Sequence, residues 1–205
     1  ATWRFMELAE QSGLSGYIGK VNMDRNSPDI LIEDTEQSLA DTEELIIRSR
    51  EELKEFSYIL TPRFVPATTE KLMQGLGDLG EKYNLPVQSH LSENRSEIAW
   101  VKELHPSIED YTRVYEAYGL MRSNRTIMAH AIWLSDEEKD FLKEKGVMLA
   151  HCAQSNADLS SGVMPLRKNL ERGLRCCIAS DIAGSHTPDM NRHIAASIEL
   201  SKVNW

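Results

Sequence analysis

The chain has 205 residues, of which 41% are hydrophobic and 27% charged, values typical of a globular domain with a substantial core. Its formal net charge of −9 argues against nucleic acid or an anionic membrane surface as the partner, because phosphate binding requires a basic face. The three cysteines form no CxxC pair, and no apolar run approaches the roughly 20 residues that span a bilayer. We therefore expect a cytoplasmic protein with reduced thiols.

Short apolar runs alternate with longer helical patterns along the chain. The runs predict strands at residues 16–21, 56–60, 86–90, 126–130, 147–151 and 174–180. The helical patterns precede, separate and follow them, at residues 3–11, 34–56, 68–83, 93–103, 108–118, 135–145, 165–172 and 193–205. The runs are almost continuously apolar, which is typical of strands buried on both faces.

This alternation predicts an α/β fold with parallel strands, either an open sheet or a closed barrel. The barrel is favoured because several strands end on polar residues, and a barrel gathers all carboxyl ends around one mouth. A (β/α)8 TIM-type barrel has eight units and the pattern contains six. The helix at residues 3–11 has no preceding strand, so we expect residues 1–205 to be one partial, truncated barrel domain that lacks its first strands.

Three strand ends carry side chains that suit a metal. His90, His130 and Asp181 each follow an apolar run. Two neutral imidazoles and one carboxylate fit Zn²⁺, with Fe²⁺ as the alternative, and leave a coordination position for water. A lone histidine at a strand end is more often structural, but the coincidence of three such ends favours a metal site.

Four further residues are candidates for the chemistry. Glu93 lies three positions after His90, where it could act as a general acid or base, or be an ordinary acidic residue at a helix N-terminus. Arg63 and Phe64 could read the edge and cover the face of a flat heterocycle, or be a surface arginine and a core phenylalanine. His151 could contact the site or be a buried core histidine.

Five segments in order resemble the guanine deaminases, a family of the amidohydrolase superfamily: TPRFVPATTEKLMQGLGDL, VQSHLSENRSEIAWVKELHP, IMAHAIWLSDEE, AHCAQSNADLSSGVMPLR and ASDIAGSHT. The resemblance implies zinc ligands at His90, His130 and Asp181 and guanine recognition by Arg63 and Phe64. It implies hydrolysis of guanine to xanthine and ammonia, with Asp181 helping to deprotonate the water. Glu93 would deliver protons to the ring nitrogen and the leaving ammonia. It also implies a homodimer.

The chain departs from the family pattern in ways that keep alternatives open. The family carries a His-x-His pair on its first strand, and this chain has none. Ala153-Gln154 and Ala179-Ser180-Asp181-Ile182 also differ from the usual segments after the last two strands. The alternatives are another amidohydrolase, such as a chlorohydrolase or a different aminohydrolase, and a barrel fragment that is inactive by itself.

Overall fold

The structure is a computed structural model and describes residues 1–203. Each of the six predicted strands is present, and the first two are each divided into two short segments. The strands are β1 (Gly16–Ile18), β2 (Val21–Asn22), β3 (Phe56–Tyr58), β4 (Thr61–Pro62), β5 (Val87–Leu91), β6 (Thr126–His130), β7 (Met148–His151) and β8 (Arg175–Ile178).

All strand pairs are parallel and follow the order of the chain. β1 pairs with β3 and β2 pairs with β4, and a bridge between Leu60 and Val87 joins this pair of strands to the sheet β5-β6-β7-β8. In the wall of a βα barrel, strands that follow each other in sequence also lie next to each other, as they do here. The helices connect the end of one strand to the start of the next, because parallel strands need long crossover connections.

The break between β1 and β2 has a local cause at Gly19. A side chain at this position would collide with the carbonyl oxygen of Ile59, so the two strands approach more closely than ordinary residues allow. The next amide, that of Lys20, donates to the hydroxyl of Tyr58 at 3.1 Å instead of to a strand partner. The apolar run at residues 16–21 predicts the strand but not this interruption.

Nine helices cover the strands. They are α1 (Thr2–Glu10), α2 (Thr35–Glu52), α3 (Glu70–Tyr83), α4 (Arg95–Leu104), α5 (Tyr111–Ala117), α6 (Asp136–Glu144), α7 (Ala153–Asp158), α8 (Leu166–Glu171) and α9 (Met190–Val203), counted within residues 1–203. Ser135 and Glu138 form a capping box at the start of α6. Gly146 follows that helix with φ +64°, a conformation typical of a glycine after a helix C-terminus.

Three helix predictions need correction. The helix predicted at residues 93–103 begins at Arg95, because Asn94 caps it and forms a reciprocal capping box with Glu97, which leaves Glu93 in the preceding loop. The helix predicted at residues 193–205 begins earlier, at Met190, and its last two residues lie outside the described part of the chain. The helix predicted at residues 34–56 ends at Glu52, before β3 begins at Phe56. The sequence pattern does not predict helix α7.

The core lies between the helices and the sheet. Leu72 and Leu76 of α3 pack in one cluster with Val87, Met128 and Leu149 of the three neighbouring strands, and all five are completely buried. Burial of such a side chain stabilises the fold by about 1.5–3 kcal/mol. This packing holds the strands rigidly, and their carboxyl ends then fix the positions of the polar residues that follow.

No helix within residues 1–203 is both long enough and apolar enough to cross a membrane.

Candidate metal and substrate site

The candidate residues meet at the carboxyl ends of the strands. One cleft of about 570 Å³, hereafter the site cleft, is lined by six of the seven candidates, Arg63, Phe64, His90, Glu93, His130 and Asp181. They come from four different βα units that are up to 118 positions apart in sequence (63 to 181). Their convergence is a consequence of the curved parallel wall.

Two histidines and one aspartate form a cluster that could hold a metal ion. One ligand atom from each of His90, His130 and Asp181 lies within 4.8 Å of the others. The two imidazole rings stack, with centroids 5.2 Å apart and an angle of 25° between their planes. Each imidazole can therefore offer one nitrogen to the same ion.

The hydrogen bonds of both imidazoles support this interpretation. Nδ1 of His90 lies 2.6 Å from the carbonyl oxygen of Arg63, and Nδ1 of His130 lies 2.8 Å from Oδ1 of Asn156. Both partners are acceptors, so each Nδ1 carries the proton and each Nε2 keeps its lone pair. This is the orientation that metal-bound histidines usually adopt. The donor set of the chain therefore fits a metal such as zinc.

Burial reinforces the neutral state of His90. Loss of solvent lowers the pKa of its imidazole, and the neighbouring His130 lowers it further. The backbone carbonyl of Arg63 and the carboxylates of Asp181 and Glu93 oppose this effect. The lowered pKa means that His90 offers a free lone pair at neutral pH.

The backbone around the site adopts left-handed conformations at several residues that are not glycine. The φ angles are +49° at Ser92, +69° at His130, +48° at Ala131, +48° at Asp181 and +80° at Ala183. Side chains with a Cβ adopt this region at a cost on the order of 1 kcal/mol each. The chain thus turns sharply just where the site side chains leave the strands.

Glu93 is held between two elements. Its backbone amide donates to Oε2 of Glu97 at 2.9 Å, and its own Oε1 accepts from the hydroxyl of Ser161 at 2.7 Å. The same oxygen is 3.9 Å from Nδ1 of His130. Glu97 is itself buried, and the hydroxyl of Tyr111 donates to its other oxygen at 2.7 Å. Burial raises the pKa of Glu97, which these hydrogen bonds partly offset.

Arg63 and Phe64 follow β4 at the opening of the site cleft. The amide of Arg63 donates to the carbonyl of Asn22 at 3.1 Å, which ties this turn to the neighbouring strand. The ring of Phe64 lies between those of His90 and Trp100, with centroid distances of 6.3 and 6.4 Å. Arg63 is exposed and Phe64 half-buried, and both line the site cleft.

The loop at residues 24–26 holds this turn in place through hydrogen bonds. Arg25 and Asn26 donate to the carbonyls of Val65 and Pro66 at 3.0 and 2.8 Å. The carboxylate of Asp24 accepts from the amide and from the hydroxyl of Thr69, at 2.7 and 2.5 Å. These contacts join residues 40 to 45 positions apart, and they fix the segment that carries Arg63 and Phe64.

The α7 segment, residues 153–162, supplies contacts that the sequence did not indicate. Ser155 donates to the carboxylate of Asp181, Asn156 accepts from His130, and Ser161 donates to Glu93. The only sequence signal was their position after a strand end that bears His151. The serines and the asparagine have no motif of their own, so their role depends on tertiary structure.

His151 is better explained as part of the core. It is 1% exposed, and burial lowers the pKa of its imidazole to about 4. It is absent from the lining of the site cleft. Of the two interpretations open at His151, the structure favours the buried core histidine.

A model of the Amidohydrolase family matches residues 3–205. The chain belongs to the amidohydrolase family. The guanine deaminase of Dictyostelium discoideum is 43% identical to this amidohydrolase over 200 residues, which are 97% of the chain and 44% of that protein. The guanine deaminase of Mus musculus is 37% identical over 204 residues, or 96% of the chain and 44% of that protein.

A crystal structure of guanine deaminase from C. acetobutylicum, with guanine bound in its active site, superimposes on this amidohydrolase with a TM-score of 0.96. The two are 46% identical, and the match covers 100% of this chain and 49% of that one. The predictions of a partial barrel and of a resemblance to guanine deaminases are thus confirmed. The chain spans about half the length of the relatives that it matches.

Proposed function

We propose that the full-length protein catalyses the zinc-dependent hydrolytic deamination of guanine to xanthine and ammonia. The observation that carries the proposal is the site cleft, in which a metal-type cluster, a carboxylate and an Arg-Phe pair face one another. The similarity to a guanine deaminase with bound guanine supports the choice of substrate. Cytoplasmic location and a homodimer stay predictions for the full-length protein.

His90, His130 and Asp181 would hold the zinc ion, the two imidazoles through Nε2. When bound, the ion would polarise a water molecule and lower its pKa towards neutrality. These three residues would supply part of the zinc site, and the family resemblance implies that a His-x-His pair adds to them. Iron is the alternative metal, since imidazole and carboxylate ligands suit both.

The remaining residues bind the purine and move protons. Phe64 covers one face of the ring, and the fork of Arg63 donates to its carbonyl edge. Glu93 would carry one proton of the attacking water to the ring nitrogen. Asp181 would take the other proton, which would reach the departing amino group through Glu93. A carbon–oxygen bond forms and a carbon–nitrogen bond breaks at the amino-bearing carbon. The two protons of water finish on the ring and in ammonia.

The test is guanine turnover by the full-length protein, followed by the ultraviolet change from guanine to xanthine. We expect turnover that a chelator abolishes and that zinc restores. Turnover of another aminopurine or of a chlorinated heterocycle, with none of guanine, would favour a different amidohydrolase activity. Absence of turnover with every substrate despite bound zinc would overturn the proposal.

The 205-residue chain alone is expected to be inactive. The family resemblance implies a His-x-His pair among the zinc ligands, and the chain contains none. A zinc titration of the chain and of the full-length protein would show whether the metal site of the chain is incomplete or complete. Stoichiometric micromolar binding and turnover by the chain alone would show that its own three ligands suffice.

A further inference from the structure

Three side chains of the α7 segment contact residues that we propose to bind the metal or to transfer protons. Ser155 and Asn156 contact Asp181 and His130, which are proposed metal ligands. Ser161 instead contacts Glu93, which carries the proposed proton transfer, at 2.7 Å from Oε1. Ser161 is 8% exposed, so this hydrogen bond is shielded from competing water.

The position of the Ser161 hydroxyl is fixed by its own backbone. Its amide donates to the carbonyl of Asn156 at 2.9 Å, and its carbonyl accepts from the indole nitrogen of Trp133 at 2.9 Å. The next residue, Gly162, has φ +131°, and a Cβ there would lie 2.8 Å from the Trp133 ring. Only glycine lets the chain pass this ring, so the serine is held rigidly in place.

Glu93 is fixed from the opposite side as well. Its amide is bound by the buried carboxylate of Glu97, which anchors the backbone of the loop to α4. The side chain is then oriented through Oε1, which accepts from Ser161. This leaves Oε2 of Glu93 as the oxygen that can turn towards a ligand in the site cleft.

We propose that Ser161 is a positioning residue for the deamination reaction: its hydroxyl holds Oε1 of Glu93 and directs Oε2 at the substrate. The inference rests on the proposed function and adds to it a residue outside the lining of the site cleft. A hydrogen bond from a fixed hydroxyl to one carboxylate oxygen restricts the rotation of that carboxylate. Misorientation of a proton-transfer group lowers the rate of the chemical step more than it weakens binding.

The experiment compares two nearly isosteric variants of the zinc-loaded full-length protein. Ser161→Thr keeps the hydroxyl and Ser161→Val removes it. We expect kcat for guanine to fall on the order of tenfold in Ser161→Val and to stay within about threefold of the parent in Ser161→Thr, with KM nearly unchanged in both. Ser161→Ala should repeat the loss if neither branched side chain fits. Ser160→Ala, at an exposed neighbouring serine, is the matched control.

The outcomes separate the two proposals. If the parent protein converts guanine but the Thr, Val and Ala variants share one kcat, Ser161 does not position Glu93 and the proposed function stands. A rise in KM at constant kcat would likewise overturn the positioning role, because it would indicate a role in binding alone. If the parent protein does not convert guanine, both proposals fail.

Discussion

His151 makes the stability of the protein depend on pH with a predictable sign. Burial lowers the pKa of His151 to about 4 in the folded protein, whereas an unfolded histidine titrates near 6.5. Between these values the unfolded chain binds a proton that the folded chain does not. Stability is therefore complete above pH 6.5 and is lost as the pH falls towards 4. The loss amounts to about 2 kcal/mol at pH 5.

The assay is urea unfolding at pH 8 and at pH 5, monitored by tryptophan fluorescence, for the parent and for His151→Leu and His151→Gln. We expect both variants to lose about 2 kcal/mol less than the parent on acidification, because neither replacement titrates. Burial also lowers the pKa of His90 and His105, but these residues are unchanged, so their effect cancels in the comparison. An equal loss in all three proteins would show that His151 is not held neutral by burial.

Three further predictions concern the site of the full-length protein. Glu93→Gln should lower kcat by roughly 10²-fold or more, as for a lost general acid or base, and parent-like turnover would remove Glu93 from the mechanism. Arg63→Lys should raise KM for guanine about tenfold with a smaller effect on kcat, because a lysine cannot form the two-pronged contact; steady-state kinetics with an unchanged KM would contradict this. Asn156→Leu leaves the buried Nδ1 of His130 without its acceptor and should weaken zinc binding about 10–100-fold. A chelator competition that gives equal affinities would disprove that role.

The proposed metal ligands could be predicted because each one follows an apolar run. His90, His130 and Asp181 stand out as polar residues after buried strands, and the barrel geometry brings such ends together. The predicted helix start at Glu93 lies two residues too early, although Asn94 and Glu97 have a capping-box spacing that locates the start of the helix.

The contacts of the α7 segment could not be predicted in this way. Helix α7 is six residues long and its sequence, AQSNAD, has no apolar periodicity. Ser155, Asn156 and Ser161 acquire their partners only when β5, β6 and β8 are aligned beside this segment. Polar side chains that act through tertiary contacts carry no spacing signal of their own. The break at Gly19 is not predictable either, because it depends on a tertiary contact with Ile59.

The left-handed backbone of the site limits how far such a protein can be made heat-resistant. At Ala131 and Ala183 a glycine would relieve the unfavourable φ without removing a functional group, and each change could raise stability by up to about 1 kcal/mol. At His130 and Asp181 the same relief would delete the side chains that the site needs. Engineering for durability can therefore change Ala131 and Ala183 but must keep His130 and Asp181, because at these two residues the demands of geometry and of stability oppose each other.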